Sequence, residues 1–344
     1  MTYIGIYLAL ALTSFVVRRR DEQRVVLLLA CLLLFLFVGT REYVGCDFTG
    51  YLNRFESYSI YPPEVSLQTP EFGFLYLNRL VVDAGGTLMW VNIACAAIFF
   101  TCFYLFARNK TNPLGLLALF FPIIIVQLSM SGIRQATALA ILLLAWDAFI
   151  ARNRVGYLLA LGAAASFHTS AVIFLPLVAL IGRPVKLATL IPAALATLPI
   201  AYVFLGERSD VYVQRYVEGD VESFGAVFRL GLLVITAIFF EVYIRRFAVV
   251  ERKMFQLLRF GSLLIFALIP AFFVSTLIVH RLGYYAATLQ LYMLSSARRV
   301  NPNRSDDALF AYLPFAAYLL YMLVWFATSR HAELCYMPYD SYIF

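Results

Sequence analysis

The sequence predicts an all-α, polytopic integral membrane bundle, and two observations carry that prediction. Hydrophobic residues make up 62% of the 344 and charged residues only 14%, with a mean hydropathy of +0.82, a balance far from that of a soluble domain. Apolar runs of roughly 17–25 residues, the length needed to cross a bilayer, recur from one end of the chain to the other. Inside hydrocarbon only helices and closed barrels satisfy their own backbone, and runs this long and continuous are helical. No soluble segment is left over, so 1–344 reads as a single polytopic domain.

Taken between charged breaks, the runs give about twelve spans. The first, 2–17, precedes RRRDEQR and lacks both a basic leader and a small-residue cleavage site, so it reads as a retained helix. The second, 25–40, ends in GTREYVGCD. A long polar segment, 41–86, follows, with PPE and GG punctuation and an aromatic spacing near Phe48–Tyr58 that predicts a helix lying along the membrane interface. Spans 87–107, 113–127 and 132–150 come next, then two short ones, 155–166 and 169–182. Beyond them lie 185–205, 225–244, 255–279, 282–297 and 308–328, with a second polar segment at 206–224.

The loops RRRDEQR, ARNK, ARNR, GRPVK, RRFAVVERK and ARRVNPNR are rich in Lys and Arg and are assigned to the cytoplasm, which puts both termini on the periplasmic side. ARNR and GRPVK then share a side, so the stretch between them is two short or re-entrant helices turning at Ser166, Phe167 and His168 rather than one crossing. The formal charge of +7 is this topogenic bias, and no nucleic-acid partner is expected. Cys31, Cys46, Cys95, Cys102 and Cys335 have no metal-like spacing, and neither a disulfide framework nor a zinc site is expected. There is no GxSxG elbow, no phosphate loop and no HExxH; no cofactor and no metal are expected.

With that orientation, residues that are costly to hold at a membrane collect on the outer face. Arg41 and Asp47 follow the second span, Arg134 and Gln135 open the fifth, and His168 sits at the short turn. Arg215 lies in the second outer segment, and His280 and Arg281 follow the tenth span. An intramembrane charge marks function by default. Arginine's planar fork suits phosphate oxygens, and Arg134 lies one turn inside a helix start, which also favours an anion. The structural alternatives are snorkelling or acid pairing for Arg41 and Arg281, a backbone-satisfied histidine at His168, and pairing of Asp47 with Arg41 or Arg54. For Tyr51, Tyr284 and Tyr285 an interfacial belt stands against stacking on sugar faces.

Arg41, Gly45, Asp47, Tyr51 and Phe55, then EFGFLYLN from Glu71, GIRQA from Gly132, FHTSA from Phe167, HRLGYY from His280 and the closing PYDSYIF resemble the EpsG family of exopolysaccharide proteins, relatives of Wzy-type O-antigen and capsule polymerases. Cys46 and Phe48 stand where that pattern more often has a polar residue and a tyrosine. The resemblance implies a bacterial inner-membrane glycosyltransferase working on the periplasmic face. Its substrate would be an undecaprenyl-diphosphate-linked oligosaccharide repeat unit, the lipid diphosphate leaving as the glycan passes to a sugar hydroxyl of the next unit. On this reading Arg134 acts with Asp47 or His168 as the catalytic set. Arg41, Tyr51, Glu71, Gln135, Arg215, Arg281, Tyr284 and Tyr285 bind substrate, and a chain-length regulator and a flippase are compatible partners. The competing readings are a flippase or exporter of lipid-linked sugars, a ligase, and an accessory subunit of an export complex. Charges gathered on one face favour surface chemistry over passage.

Overall fold

The computed structural model describes residues 2–60, 71–193, 195–196, 224–301 and 307–343, and among these the regular elements are all helical. In chain order they begin with α1 (Thr2–Val16), α2 (Arg20–Gly39), α3 (Phe48–Ile60), α4 (Phe72–Asp83), α5 (Leu88–Ala107) and α6 (Pro113–Phe120). A π-helix (Phe121–Ser129) leads to α7 (Ile133–Ile150) and α8 (Arg154–Phe167), and a 3-10 helix covers Thr169–Leu180. Then come α9 (Phe224–Val242), α10 (Ile244–Val250), α11 (Phe255–Phe272), α12 (Thr276–Ser295), α13 (Ala297–Val300), α14 (Asp307–Thr328) and α15 (Arg330–Tyr336).

The chain divides into two compact units. One comprises Met1–Asp147, Gly156–Ala171 and Phe315–Phe344, the other Ala148–Val155 and Val172–Pro314. In the first, α2 packs along α5, α1 and α2 pack on α6, and α3 and α4 form a pair laid against α5. In the second, α9, α11 and α12 pack on one another.

Among the described residues five helices are long and apolar enough to cross a membrane: α2, α5, α7, α11 and Ala308–Thr328 within α14. A bent pair, Val227–Val242 with Ile244–Val250, broken by 78°, makes a sixth if it is one span. About twelve spans were expected. The difference has three sources. Thr2–Val16, Pro113–Ser129, Arg154–Phe167 and Thr169–Leu180 are apolar but shorter than a full crossing; α12, which covers most of the expected span 282–297, is long enough but not among the helices apolar enough to cross; and much of the expected span 185–205 lies outside the described residues.

Two local expectations meet their counterparts. The aromatic spacing after the second span is α3, whose buried face is Phe48, Phe55 and Tyr58. The break between the two short helices falls at His168, where α8 ends and the 3-10 helix begins. Near the two ends of the described chain, the Tyr3 hydroxyl donates to the Tyr336 carbonyl at 3.0 Å, and Tyr3 stacks on Phe326 and meets Phe37, Tyr336 and Tyr339 edge-on.

One expectation is overturned. Cys46 and Cys335 form a disulfide across 289 residues of sequence, while Cys31, Cys95 and Cys102 are free and buried. Spacing along the chain gave no sign of the pair, because the turn after α2 and the segment after α14 meet only in the folded molecule.

Candidate active site

The site is built on a small apolar core. Phe48 and Phe55 of α3, Phe74 and Val81 of α4, Leu88, Val91 and Cys95 of α5, and Ile133 of α7 form one buried cluster, with Tyr51 and Phe167 packed against it. Each buried phenylalanine contributes about 1.5–3 kcal/mol of apolar transfer. That cluster seats the start of α4 beside the start of α7.

Glu71 precedes α4, and its carboxylate joins three elements. Oε1 accepts from His168 Nδ1 at 2.6 Å and from the Thr169 amide at 3.4 Å, and Oε2 is ion-paired with Arg134 Nη1. Gly73 permits this approach. A Cβ there would lie 2.4 Å from Ser166 Oγ and 3.1 Å from Ser166 Cβ, so only glycine lets the first turn of α4 come so close to the end of α8. Burial by itself would raise the Glu71 carboxyl, but the His168 hydrogen bond and the Arg134 charge hold it down at about 2.

An ionised Glu71 fixes the histidine's tautomer. A carboxylate can only accept, so Nδ1 of His168 carries a proton, and in the neutral ring the lone pair is on Nε2. Among the described residues nothing bonds Nε2, and it is not among the buried polar atoms left without a partner. Arg134 is likewise held on one side only. Its guanidinium lies 5.7 Å from the Tyr51 ring centre and 5.9 Å from that of Phe74, and Nε makes a long 3.5 Å contact to the Tyr51 hydroxyl. A quarter of its side chain stays exposed. The arrangement presents a guanidinium edge and an imidazole lone pair on two sides of one carboxylate.

Asp47 is exposed at the start of α3. Its amide donates to Ser131 Oγ at 3.2 Å, placing it over the turn that opens α7. Gln135 is buried in α7. Arg41 is turned inward and only 2% exposed. Its Nε donates to the carbonyls of Val44 at 3.2 Å and Met130 at 3.0 Å, its Nη1 to Val38 at 2.5 Å, and its Nη2 reaches Asn92 Oδ1 at 3.5 Å. Those acceptors give Arg41 the task of closing the turn after α2 onto the end of the π-helix.

The remaining residues of interest belong to the second unit, apart from Arg215, which lies outside the described residues. Tyr284 and Tyr285 are buried in α12. The Arg229 guanidinium sits 4.2 Å over the Tyr284 ring and Nη1 donates to His280 Nδ1 at 2.9 Å, while Tyr285 packs edge-on against Phe174 at 5.1 Å. Arg281 is half-buried on the same helix. Arg229, only 5% exposed, is the residue whose part here sequence reasoning missed; a buried arginine one turn into a span was the available signal. No group of three or more His, Cys, Asp or Glu side chains suited to a metal exists among the described residues.

The EpsG family profile matches residues 24–341, nearly the whole chain. No curated protein and no solved structure matches. Spans, motif order and this match agree: the chain is a helical membrane protein and belongs to the EpsG family, a family of Wzy-like polymerases.

Proposed function

We propose that the protein polymerises exopolysaccharide by glycosyl transfer, taking the glycan from a lipid diphosphate to a sugar hydroxyl of the next repeat unit. The observation that carries this reading, beside the family itself, is the Arg134–Glu71–His168 constellation. His168 Nε2 takes the proton of the attacking hydroxyl as the new C–O bond forms at the anomeric carbon. Glu71 holds the ring through Nδ1–H and stabilises the imidazolium that results. The bond from the anomeric carbon to the diphosphate oxygen breaks, and the outward edge of Arg134 carries the charge that grows on the leaving group. Tyr51, beside Arg134, offers a ring with a polar tip to a sugar face. Asp47, exposed over the same turn, orients the acceptor.

Glu71 thus works through His168 and Arg134, not as a sugar ligand, and Arg41 acts through the backbone it holds. In the second unit Arg281, Tyr284 and Tyr285 are proposed as substrate-binding residues in their own right. The site faces outward in the bacterial inner membrane, the substrate is an undecaprenyl-diphosphate-linked oligosaccharide, and the lipid diphosphate supplies the energy.

The test is surface polysaccharide from cells carrying Arg134→Gln, Arg134→Lys or His168→Ala in place of the wild type. Single-repeat product with normal protein in the membrane is expected for each. Long chains from all three would end the assignment.

A further inference from the structure

The C-terminal segment is tied onto the turn after α2 by more than packing. The Glu42 amide donates to the Asp340 carbonyl at 3.1 Å, the Tyr342 amide to the Thr40 carbonyl at 2.9 Å, and Thr40 Oγ1 and Ser341 Oγ lie 3.0 Å apart. At the other end of the contact the Gly45 amide donates to the Cys335 carbonyl at 2.7 Å, and the next residue, Cys46, is bonded to Cys335 itself, with Cα atoms 4.9 Å apart. The turn in its own right grips the start of α7. Gly45, at φ +104°, lies so close to Met130 that a Cβ would be 2.0 Å from its carbonyl oxygen; the Asp47 amide reaches Ser131 Oγ, and Arg41 Nε bonds the Met130 carbonyl. Arg134 lies three residues after Ser131.

We propose that Cys46 and Cys335 are positioning residues: their disulfide straps the C-terminal segment over the 40–47 turn and so holds the start of α7, with Arg134, in register. The path runs through contiguous contacts, from Cys335 to Cys46, from Asp47 to Ser131, and one helical turn on to the guanidinium. Disulfides persist in oxidising compartments. The pair therefore places the 40–47 turn and the chain's end on the side away from the cytoplasm, without appeal to the basic loops. The bond forms by exchange with a disulfide-donating oxidoreductase of that compartment. The two cysteine thiols lose two protons and two electrons, and the donor's disulfide is reduced to two thiols. Cys31, Cys95 and Cys102, all buried within α2 and α5, offer no competing partner.

The experiment uses the full chain in nanodiscs. A maleimide titration in denaturant should find three thiols before reduction and five after it; five at the outset would overturn the bridge. Hydrogen exchange across 130–135 should quicken when the oxidised protein is reduced, in wild type but not in a Cys46→Ala, Cys335→Ala double variant. Unchanged exchange in reduced wild type would overturn the positioning role, whether or not the protein proves to be a polymerase. The activity arm rests on the function proposed above. Reduction should lower kcat about tenfold with KM held, since small displacements of a charged group weigh on the transition state, and reoxidation should restore it. Full kcat with the bridge broken would overturn the role. Oxidised wild type that makes no polymer would instead refute the function, and the positioning role would then stand or fall on the exchange measurement.

Discussion

Glu71→Gln is nearly isosteric, and the structure says it should disable the site by two separable routes. The carboxylate accepts from His168 and the Thr169 amide on one oxygen and from Arg134 on the other. An amide has one acceptor oxygen and one donor nitrogen. If its oxygen stays with Arg134, its NH2 faces His168 Nδ1, which must then accept; the ring proton moves to Nε2 and the base loses its lone pair. If the oxygen stays with His168, two donors confront each other at Arg134. Either way the expected loss in turnover is on the order of 10²–10⁴, the worth of a positioned base. Stability falls as well. With its side chain only 10% exposed, Glu71 is held at about 2 against an ordinary 4.5, a difference worth about 3 kcal/mol. Because the folded pKa is depressed, this stabilisation is present above pH 4.5 and fades as pH falls towards 2. The variant should therefore melt earlier than wild type at neutral pH and converge with it in acid. The assay is turnover of a lipid-diphosphate-linked repeat unit in nanodiscs, paired with thermal melts from pH 7 down to the lowest pH the preparation tolerates. Wild-type turnover from Glu71→Gln, or a melting difference that does not shrink in acid, would rule out this role for Glu71.

Other outcomes follow from the same geometry. Arg134→Lys keeps the charge but loses the planar fork; turnover should fall about 10²-fold or more, with the protein still folded by thermal melt. Arg41→Lys cannot reach the spread of carbonyls that the guanidinium spans, so it should cost about 1–3 kcal/mol of stability through unsatisfied buried groups. That loss would show as less protein in the membrane and, because Arg41 grips the Met130 carbonyl before α7, as lower turnover per folded molecule. Gly73→Ala should push α4 away from Ser166, costing roughly 1–3 kcal/mol as overpacking does together with much of the activity. Adding Ser166→Gly should recover part of both, as read by melts and turnover in the single and double variants.

The helical membrane class, the helix at Phe48 and the break at His168 were legible in the sequence, because apolar run length, aromatic spacing and loop charge are local signals. His168 and Arg134 stood out for the same reason, as polar groups set in apolar surroundings. Glu71 could be singled out but not given its task, since its partners lie 97 and 63 residues away and only the packing of α4 against α8 and α7 brings them to one carboxylate. Arg41 illustrates the opposite difficulty. A charge at the end of a span looks the same in sequence whether it faces an outer cavity or turns inward to a ring of carbonyls. The Cys46–Cys335 pair was invisible because cysteine spacing reports on pairing only when the intervening chain is short.

On the function proposed above, the Arg134–Glu71–His168 cluster drives polymerisation from the lipid diphosphate alone. The most direct measurement incubates the purified protein in nanodiscs with a lipid-diphosphate-linked repeat unit, without nucleotide or added metal, and resolves product length on a gel. A ladder is expected from wild type, and single units from Arg134→Gln and His168→Ala, both folded by thermal melt. Unreacted single units from folded wild type, or an undiminished ladder from either variant, would contradict it.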